Sequence, residues 1–226
     1  MSEPPSALEL PPFRPLHPGA QASTVRRATA DDALAIALIV DQAGDGLELW
    51  YWLNSRPRGQ SPFDFGMDLI RNDPGVFYHY SNCYLVELDG KIAGGAMGHR
   101  ARPRWTPESL ATLLSGMPEA ARALVEIESR VTDGWQMMAG AVFRPYRGLK
   151  LGAALVDLSW QLALASGEKW ASLVVDSENE RAFKTYRDFG FKEVARSPKL
   201  PYPGSPTVGS EWVLCRIELP GASTSA

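Results

Sequence analysis

The chain has 226 residues, 45% of them hydrophobic, and carries a formal charge of −3 with an isoelectric point near 5.7. A chain of this length can bury roughly 70% of the surface its unfolded form exposes, so one sizeable globular domain, or two small ones, is expected and overall disorder is excluded. The charge excludes the basic footprint of a nucleic-acid-binding domain, and no apolar run approaches the roughly 18 residues that a membrane span requires.

Residues 1–23 are Pro-rich and are expected to form a mobile tail, as is GASTSA at 221–226, leaving one domain over 24–220. The first segment lacks the basic start and apolar stretch of a secretory signal, so a cytoplasmic protein is the expectation. Cys83 and Cys215 stand far apart in apolar strand-like runs and read as buried, reduced thiols. His17, His79 and His99 form no ligand-spaced cluster, and no metal is expected.

The ordered body opens at Thr24 with the strand TVRRAT. Asp31 and Asp32 can cap and charge a helix running through LAIALIV to about Ala43. A Gly-Asp-Gly break at 44–46 opens a second helical stretch, GLELWYWLNS, whose Trp50, Tyr51 and Trp52 cannot all face one core. A third short helix spans about Phe63 to Arg71. The chain then changes period. Tyr84, Val86 and Leu88 alternate, and Asp89-Gly90 marks a two-residue hairpin into a glycine-rich second strand. Residues 107–130 read as helical with a break near Gly116-Met117-Pro118, leading to a strand from about Trp135 to Phe143.

The last third alternates strand and helix. Leu151, Ala154, Leu155, Leu158 and Leu162 share one helical face that ends at Gly167. The strand WASLVVD, Trp170 to Asp176, follows. Ser177 with Glu180 forms a capping-box signature for a helix that stops at Gly190. Strands at about Phe191–Arg196 and Trp212–Leu219 complete a layered α/β domain, α+β in type, with a mixed sheet.

The segment FRPYRGLKLGAAL carries the first chemical signal. A strand followed by a tight Arg-Gly turn and a helix leaves backbone N–H groups unpaired at the helix start, with the positive end of the helix dipole behind them. Gly148 and Gly152 remove side chains where a phosphate would approach, and Arg147 and Lys150 add cationic charge. An ordinary strand-to-helix turn with two convenient glycines accounts for the same residues. There is neither a Gly-x-x-x-x-Gly-Lys-Ser/Thr loop nor a Gly-x-Gly-x-x-Gly turn after a first strand, so an NTPase and a dinucleotide dehydrogenase are unsupported.

The second signal is SLVVDSENERAFKTYRDFGFKEV. Taken with the run Val142 to Gly152, it resembles the GNAT superfamily of acyl-CoA-dependent N-acyltransferases. That family typically reads Val-x-Pro-x-Tyr-Arg-Gly-x-Gly-x-Gly in the first segment. Its second segment has Asn, Ala, Tyr and Gly-Phe at set intervals, here Asn179, Ala182, Tyr186 and Gly190-Phe191. Pro145 is one place late, and Lys150 replaces the middle glycine. A helical conformation at Lys150 is the expectation, which would let the ammonium help hold the phosphates.

The resemblance implies a mixed, mostly antiparallel central sheet flanked by helices, and acetyl-CoA as co-substrate. It implies that the pantetheine arm bonds backbone groups of Gly140, Ala141, Val142 and Phe143, with an N–H near Gly140 or Ala141 polarising the thioester carbonyl. The phosphates would lie on Arg147, Gly148, Leu149, Lys150, Leu151, Gly152 and Ala153. Asn179 would help hold the pantetheine, and Tyr186 would protonate the departing thiolate.

By helical spacing Tyr186 also reads as a core aromatic and Asn179 as a helix-start residue. The strand WQMMAGAVF holds no carboxylate. Asp176 is therefore the nearest candidate base, with Glu87 and His99 behind it; a strand-end role for Asp176 and a water relay to solvent are the alternatives. The acceptor pocket would be lined by the Gly44-Asp45-Gly46 region with Trp50 to Trp52, and by Pro201 to Ser210. The aromatic triplet suits an apolar or cationic acceptor, a packed helix, or an oligomer contact such as a homodimer. The expected activity is acetyl transfer to a primary amine on a small molecule or peptide, with a non-catalytic acyl-CoA-binding sensor as the alternative.

Overall fold

The computed structural model describes residues 23–103, 105–203, 205 and 210–220. Apart from Ser23, the expected tails lie outside the described residues.

Seven strands form one sheet: β1 (Thr24–Arg27), β2 (Cys83–Leu88), β3 (Lys91–Arg100), β4 (Trp135–Val142), β5 (Trp170–Asp176), β6 (Lys192–Pro198) and β7 (Glu211–Glu218). Their spatial order is β1-β2-β3-β4-β5-β7-β6, and only β4 and β5 run parallel. Among the described residues seven α-helices accompany them: α1 (Ala33–Ala43), α2 (Leu47–Ser55), α3 (Pro62–Asn72), α4 (Pro107–Ser115), α5 (Glu119–Glu128), α6 (Leu151–Ala165) and α7 (Glu180–Phe189). This is the mixed, mostly antiparallel sheet flanked by helices that the resemblance implies.

The period-2 alternation of the strands assigns the helices to faces. Tyr84, Val86 and Leu88 of β2, Leu173 and Val175 of β5, and Val213 and Cys215 of β7 point to one face. There they meet Leu151, Leu155, Leu158 and Leu162 of α6, each leucine contributing roughly 2 kcal/mol by burial. Cys83 and Leu85 point the other way, into a second core with Ile36, Ile39 and Val40 of α1, Ile70 of α3 and Trp52 of α2. The approach of α1 to the sheet requires glycine at Gly95, where a Cβ would lie 2.6 Å from the Tyr84 carbonyl and 2.9 Å from Ile39. On that same face, over β5 to β7, a third core joins Trp212 and Leu214 to Ala120 and Ile127 of α5. Helices α1 and α5 thus cover different halves of one face, and the β4–β5 junction lies between them. Cys83 and Cys215 are buried free thiols.

Two helix starts differ from expectation. A 3-10 turn, Ala30–Asp32, precedes α1, and Asp32 accepts from the Thr29 N–H (2.8 Å) while ion-pairing with Arg26 at 2.8 Å. The Ser177–Glu180 capping box does not form. The turn after β5 closes through Asn179 N–H to the Asp176 carbonyl (3.0 Å), which displaces the helix start. Asn179 becomes the cap, its Oδ1 accepting from the Ala182 N–H at 3.2 Å, and Ser177 Oγ accepts instead from the Glu211 N–H at 3.0 Å.

Candidate active site

The centre of the sheet is split. Strands β4 and β5 pair only at Trp135–Ala171, Gln136–Ser172 and Met137–Leu173, although both continue, to Val142 and Asp176. Beyond Met137 they diverge, so Gly140 is solvent-exposed despite lying on a central strand. The β3–β4 ladder decides which backbone groups face the gap. Phe143 donates to the Ala93 carbonyl at 2.8 Å, and in an antiparallel ladder alternate residues turn to the same neighbour. Ala141 therefore turns to β3, whereas Gly140 and Val142 turn to the gap. This corrects the expectation that backbone groups from Gly140 through Phe143 are all available: the Phe143 N–H is committed to the sheet, and its side chain packs in the α1 core. Of the two expected oxyanion donors, only Gly140 turns its N–H to the gap. The Val142 carbonyl accepts from Gln42 Nε2 at 2.9 Å and Arg147 Nε at 3.3 Å, so its N–H remains the gap-facing group.

The gap ends at the start of α6. Arg144–Tyr146 make a 3-10 turn, Gly148 has φ 88°, and Lys150 has φ 59° and ψ 13°. The expectation of a helical Lys150 is thus overturned: it occupies the left-handed position for which a glycine is favoured, because the chain must reverse there to enter α6. Its carbonyl takes the N–H groups of Ala153 and Ala154, and the first helical amides, of Leu151 and Gly152, have no partner within the helix. A Cβ added at Gly148 or Gly152 would meet nothing within 4 Å. That open cradle, with Arg147 and Lys150 exposed beside it, fits a pyrophosphate approaching the backbone. Leu149 departs from the expected set, since its side chain packs on the α6 core and does not border the cavity described next.

A cavity of about 930 Å³ begins at this cradle, passes through the split and opens on the α1–α5 face. On the cradle side it is bordered by Arg147, Gly148, Lys150, Gly152 and Ala153, and by Asn179, Ala182 and Tyr186 of α7. Asn179 spends its oxygen on capping, which leaves its NH2 to meet a ligand. Tyr186 stacks edge-on to Phe191 with centroids 6.0 Å apart, and burial pushes its hydroxyl up to about 12, so it remains a proton donor at neutral pH. It is at once a core aromatic and a cavity wall. Arg181 also borders this half, a cation that the motif did not single out.

Asp176 borders the cavity, but both its oxygens are engaged. Oδ2 lies 2.5 Å from Nζ of the buried Lys199, and Oδ1 accepts from the Glu178 N–H at 2.9 Å. With one oxygen on the Lys199 ammonium and the other on a backbone N–H, the side chain is committed to holding the junction, which disfavours a base role. Of the fallback bases, Glu87 is held by Arg26 at 2.7 Å, whereas His99 borders the cavity.

On the far side, Trp50, Tyr51 and Trp52 diverge as their spacing requires. Trp52 is fully buried and donates to the Tyr78 hydroxyl at 3.1 Å, Trp50 stacks on Tyr202 at 5.8 Å, and Tyr51 borders the cavity. Tyr202 donates to the Asp45 carbonyl (2.8 Å) and lies 3.1 Å from that of Gly44, joining the segment after β6 to the α1–α2 turn, but among the described residues of 201–210 none borders the cavity, so the expected second wall is not seen there. The expected wall residues 204 and 206–209 lie outside the described residues.

One carboxylate here escaped the sequence reading. Glu48, in the first turn of α2, borders the cavity, and burial followed by the nearby Asp41 carboxylate pushes it up to about 7. Asp41 is itself raised by burial, and its Oδ1 has no hydrogen-bond partner among the described residues. An acid in a first helical turn ordinarily complements the helix dipole, so its position alone did not mark Glu48. Its adjacency to Tyr51, three residues on, was the available signal.

Comparison with known proteins gives a consistent result. The model of the acetyltransferase (GNAT) family matches residues 47–191. No curated protein matches the chain by sequence. Among solved structures, a mosquito arylalkylamine N-acetyltransferase like 5b aligns with a TM-score of 0.61 at 16% identity, covering 88% of this chain and 100% of that one. The polyamine N-acetyltransferase of Drosophila melanogaster gives 0.61 at 14% identity, with 88% and 100% covered. The ribosomal-protein-S18-alanine N-acetyltransferase of Escherichia coli gives 0.53 at 14% identity, with 91% and 99% covered. With its split sheet, its glycine cradle and a family match over most of its length, the chain belongs to the GNAT acetyltransferase family.

Proposed function

We propose that the protein transfers an acetyl group from acetyl-CoA to a primary amine by direct attack of the amine on the thioester. The observation that carries this is the β4–β5 split, which joins the cradle at α6 to a separate chamber on the opposite face. Two reactants can then enter from opposite sides and meet at Gly140. The co-substrate's phosphates fit the open backbone at Gly148 to Gly152, and its pantetheine arm fits the gap-facing groups of Gly140 and Val142. The Gly140 N–H is positioned to stabilise the oxyanion that develops on the carbonyl. Attack forms the C–N bond, and collapse breaks the C–S bond. Tyr186 supplies the proton that the departing thiolate needs, and regains one through solvent from the nitrogen.

Calorimetric titration with acetyl-CoA beside acetyl-pantetheine tests the cradle. Tight binding of the first and much weaker binding of the second is expected; equal binding, or none, overturns the phosphate assignment. Thiol release on adding amines tests the transfer. Binding without any thiol release would favour an acyl-CoA sensor.

A further inference from the structure

The chamber on the α1–α5 face has one apolar wall and, besides Asp45 and Asp176, which share the Lys199 ammonium, and Glu128 of α5, one further carboxylate, which has no ion-pair partner among the described residues. That further carboxylate is Glu48. The wall is α4, none of whose side chains is buried in the fold: Leu110 and Leu113, with Met117 just beyond, are only half-buried, and all three border the cavity. An amphipathic helix that turns its apolar residues to a chamber lacks the packing partner such a stripe needs. A ligand body that is itself apolar would complete it. Tyr51 and Phe77 extend the same lining toward Glu48.

We propose that Glu48 takes the proton from the acceptor's ammonium group, and that the acceptor is a primary amine on an apolar body seated against α4. This deepens the transferase reading and rests on it. An alkylammonium with a pKa of about 10.4 must lose a proton before its nitrogen can attack. The proton passes to the Glu48 carboxylate, and the neutral nitrogen then forms the C–N bond as the C–S bond breaks. Glu48 returns its proton to solvent after the amide leaves. A polar, fully hydrated acceptor would leave the α4 wall uncovered and gain little from it.

Glu48 does not titrate alone. Asp41 faces it from α1, Tyr51 shares its helix, Asp73 and Tyr78 follow α3, and His99 and Arg102 border the chamber from the end of β3. Asp41 lies behind Glu48 and outside the cavity lining, so it tunes the acid and does not meet the amine. With Glu48 poised at about 7, the carboxylate form needed to accept the proton is lost as pH falls through that value.

The test compares the full-length protein with its Glu48→Gln variant, using 2-phenylethylamine and hexylamine against ethanolamine and a lysine-containing peptide. The wild type is expected to prefer the two apolar amines by about tenfold or more in kcat/KM. Its kcat/KM should rise with pH through an apparent pKa near 7. Glu48→Gln should keep wild-type acetyl-CoA affinity, lose roughly a hundredfold or more in kcat/KM and lose that acid limb. A Leu113→Asp variant, which alters the wall and spares the carboxylate, should raise KM for hexylamine while leaving the pH profile in place. Turnover by Glu48→Gln with an unchanged profile, preference for the polar acceptors, or acetyl-CoA binding with no turnover of any amine would each overturn this inference and leave the co-substrate site standing. Failure of the wild type to bind acetyl-CoA would overturn the transferase reading itself.

Discussion

Lys199 Nζ sits 2.5 Å from Asp176 Oδ2 with only 1% of the lysine side chain exposed, and the same ammonium reaches Asp45 Oδ2 at 3.2 Å. It ties the end of β5, the segment after β6 and the α1–α2 turn into one junction beside the chamber. Its position over the Trp212 ring, 4.8 Å from the centroid, adds a cation–π contact.

Removing one partner of a buried pair leaves an uncompensated charge. Lys199→Met is therefore expected to destabilise the fold by about 3–5 kcal/mol. Adding Asp176→Asn should recover part of that loss. Denaturant unfolding of the single and double variants checks both.

At Gly152 folding and binding pull in opposite directions. Its Cβ position is open and its φ is not positive, so Gly152→Ala should hold or raise stability by about 0.5–1 kcal/mol through a less flexible unfolded chain. The same methyl group stands where a phosphate would approach, and acetyl-CoA affinity should fall by about tenfold, or 1.4 kcal/mol. Thermal melts paired with calorimetry read the two effects separately.

Lys150 shows the reverse trade. Its left-handed backbone costs about 1–2 kcal/mol that glycine does not incur, so Lys150→Gly should stabilise the free protein. Loss of the exposed cation should weaken acetyl-CoA binding, most visibly at low salt. Titrations at two ionic strengths give the answer.

Tyr186→Phe removes a hydroxyl and nothing else from the α7 wall. Binding of acetyl-CoA should stay at the wild-type level while kcat drops roughly a hundredfold or more, as for loss of a general acid. Steady-state kinetics at saturating acetyl-CoA decide it.

Burial also makes Glu48 a stability liability. Its folded value of about 7 stands above the ordinary glutamate value of 4.5, so the native state holds the proton more tightly than the unfolded chain. Stability should then fall as pH rises between these values, by about 3 kcal/mol. Glu48→Gln should flatten that dependence and be more stable than wild type at pH 8. Urea unfolding at several pH values checks the sign.

Local chemistry made much of this architecture readable from the residues. Asp89-Gly90 fixed the hairpin, the alternation of Tyr84, Val86 and Leu88 named the α6 face, and WASLVVD showed a strand buried on both sides. The Gly148 turn and the Asn179 to Tyr186 spacing picked out residues that the fold brings together on one side of the cavity. The rest depends on where distant segments meet. Asp176 seemed free because Lys199, 23 residues away, gives no sign in sequence of burying its ammonium there. Lys150 seemed helical because its side chain, not its φ, was the visible property. Glu48 stayed hidden because its burial by the surrounding walls and its closeness to the Asp41 charge arise only in the folded chain.

The split between β4 and β5 also makes the free protein a sheet with two interior edges. Exposed strand edges invite pairing with other chains, and most proteins blunt them with charge or proline. Here β4 carries neither along its gap-facing stretch, Met138 to Val142, and is shielded only by lying in a cleft between helices. A ligand lying along that stretch would act as a missing strand, so the seam proposed to admit the reactant is also an unpaired edge that the unliganded molecule leaves open to fraying and to unwanted association.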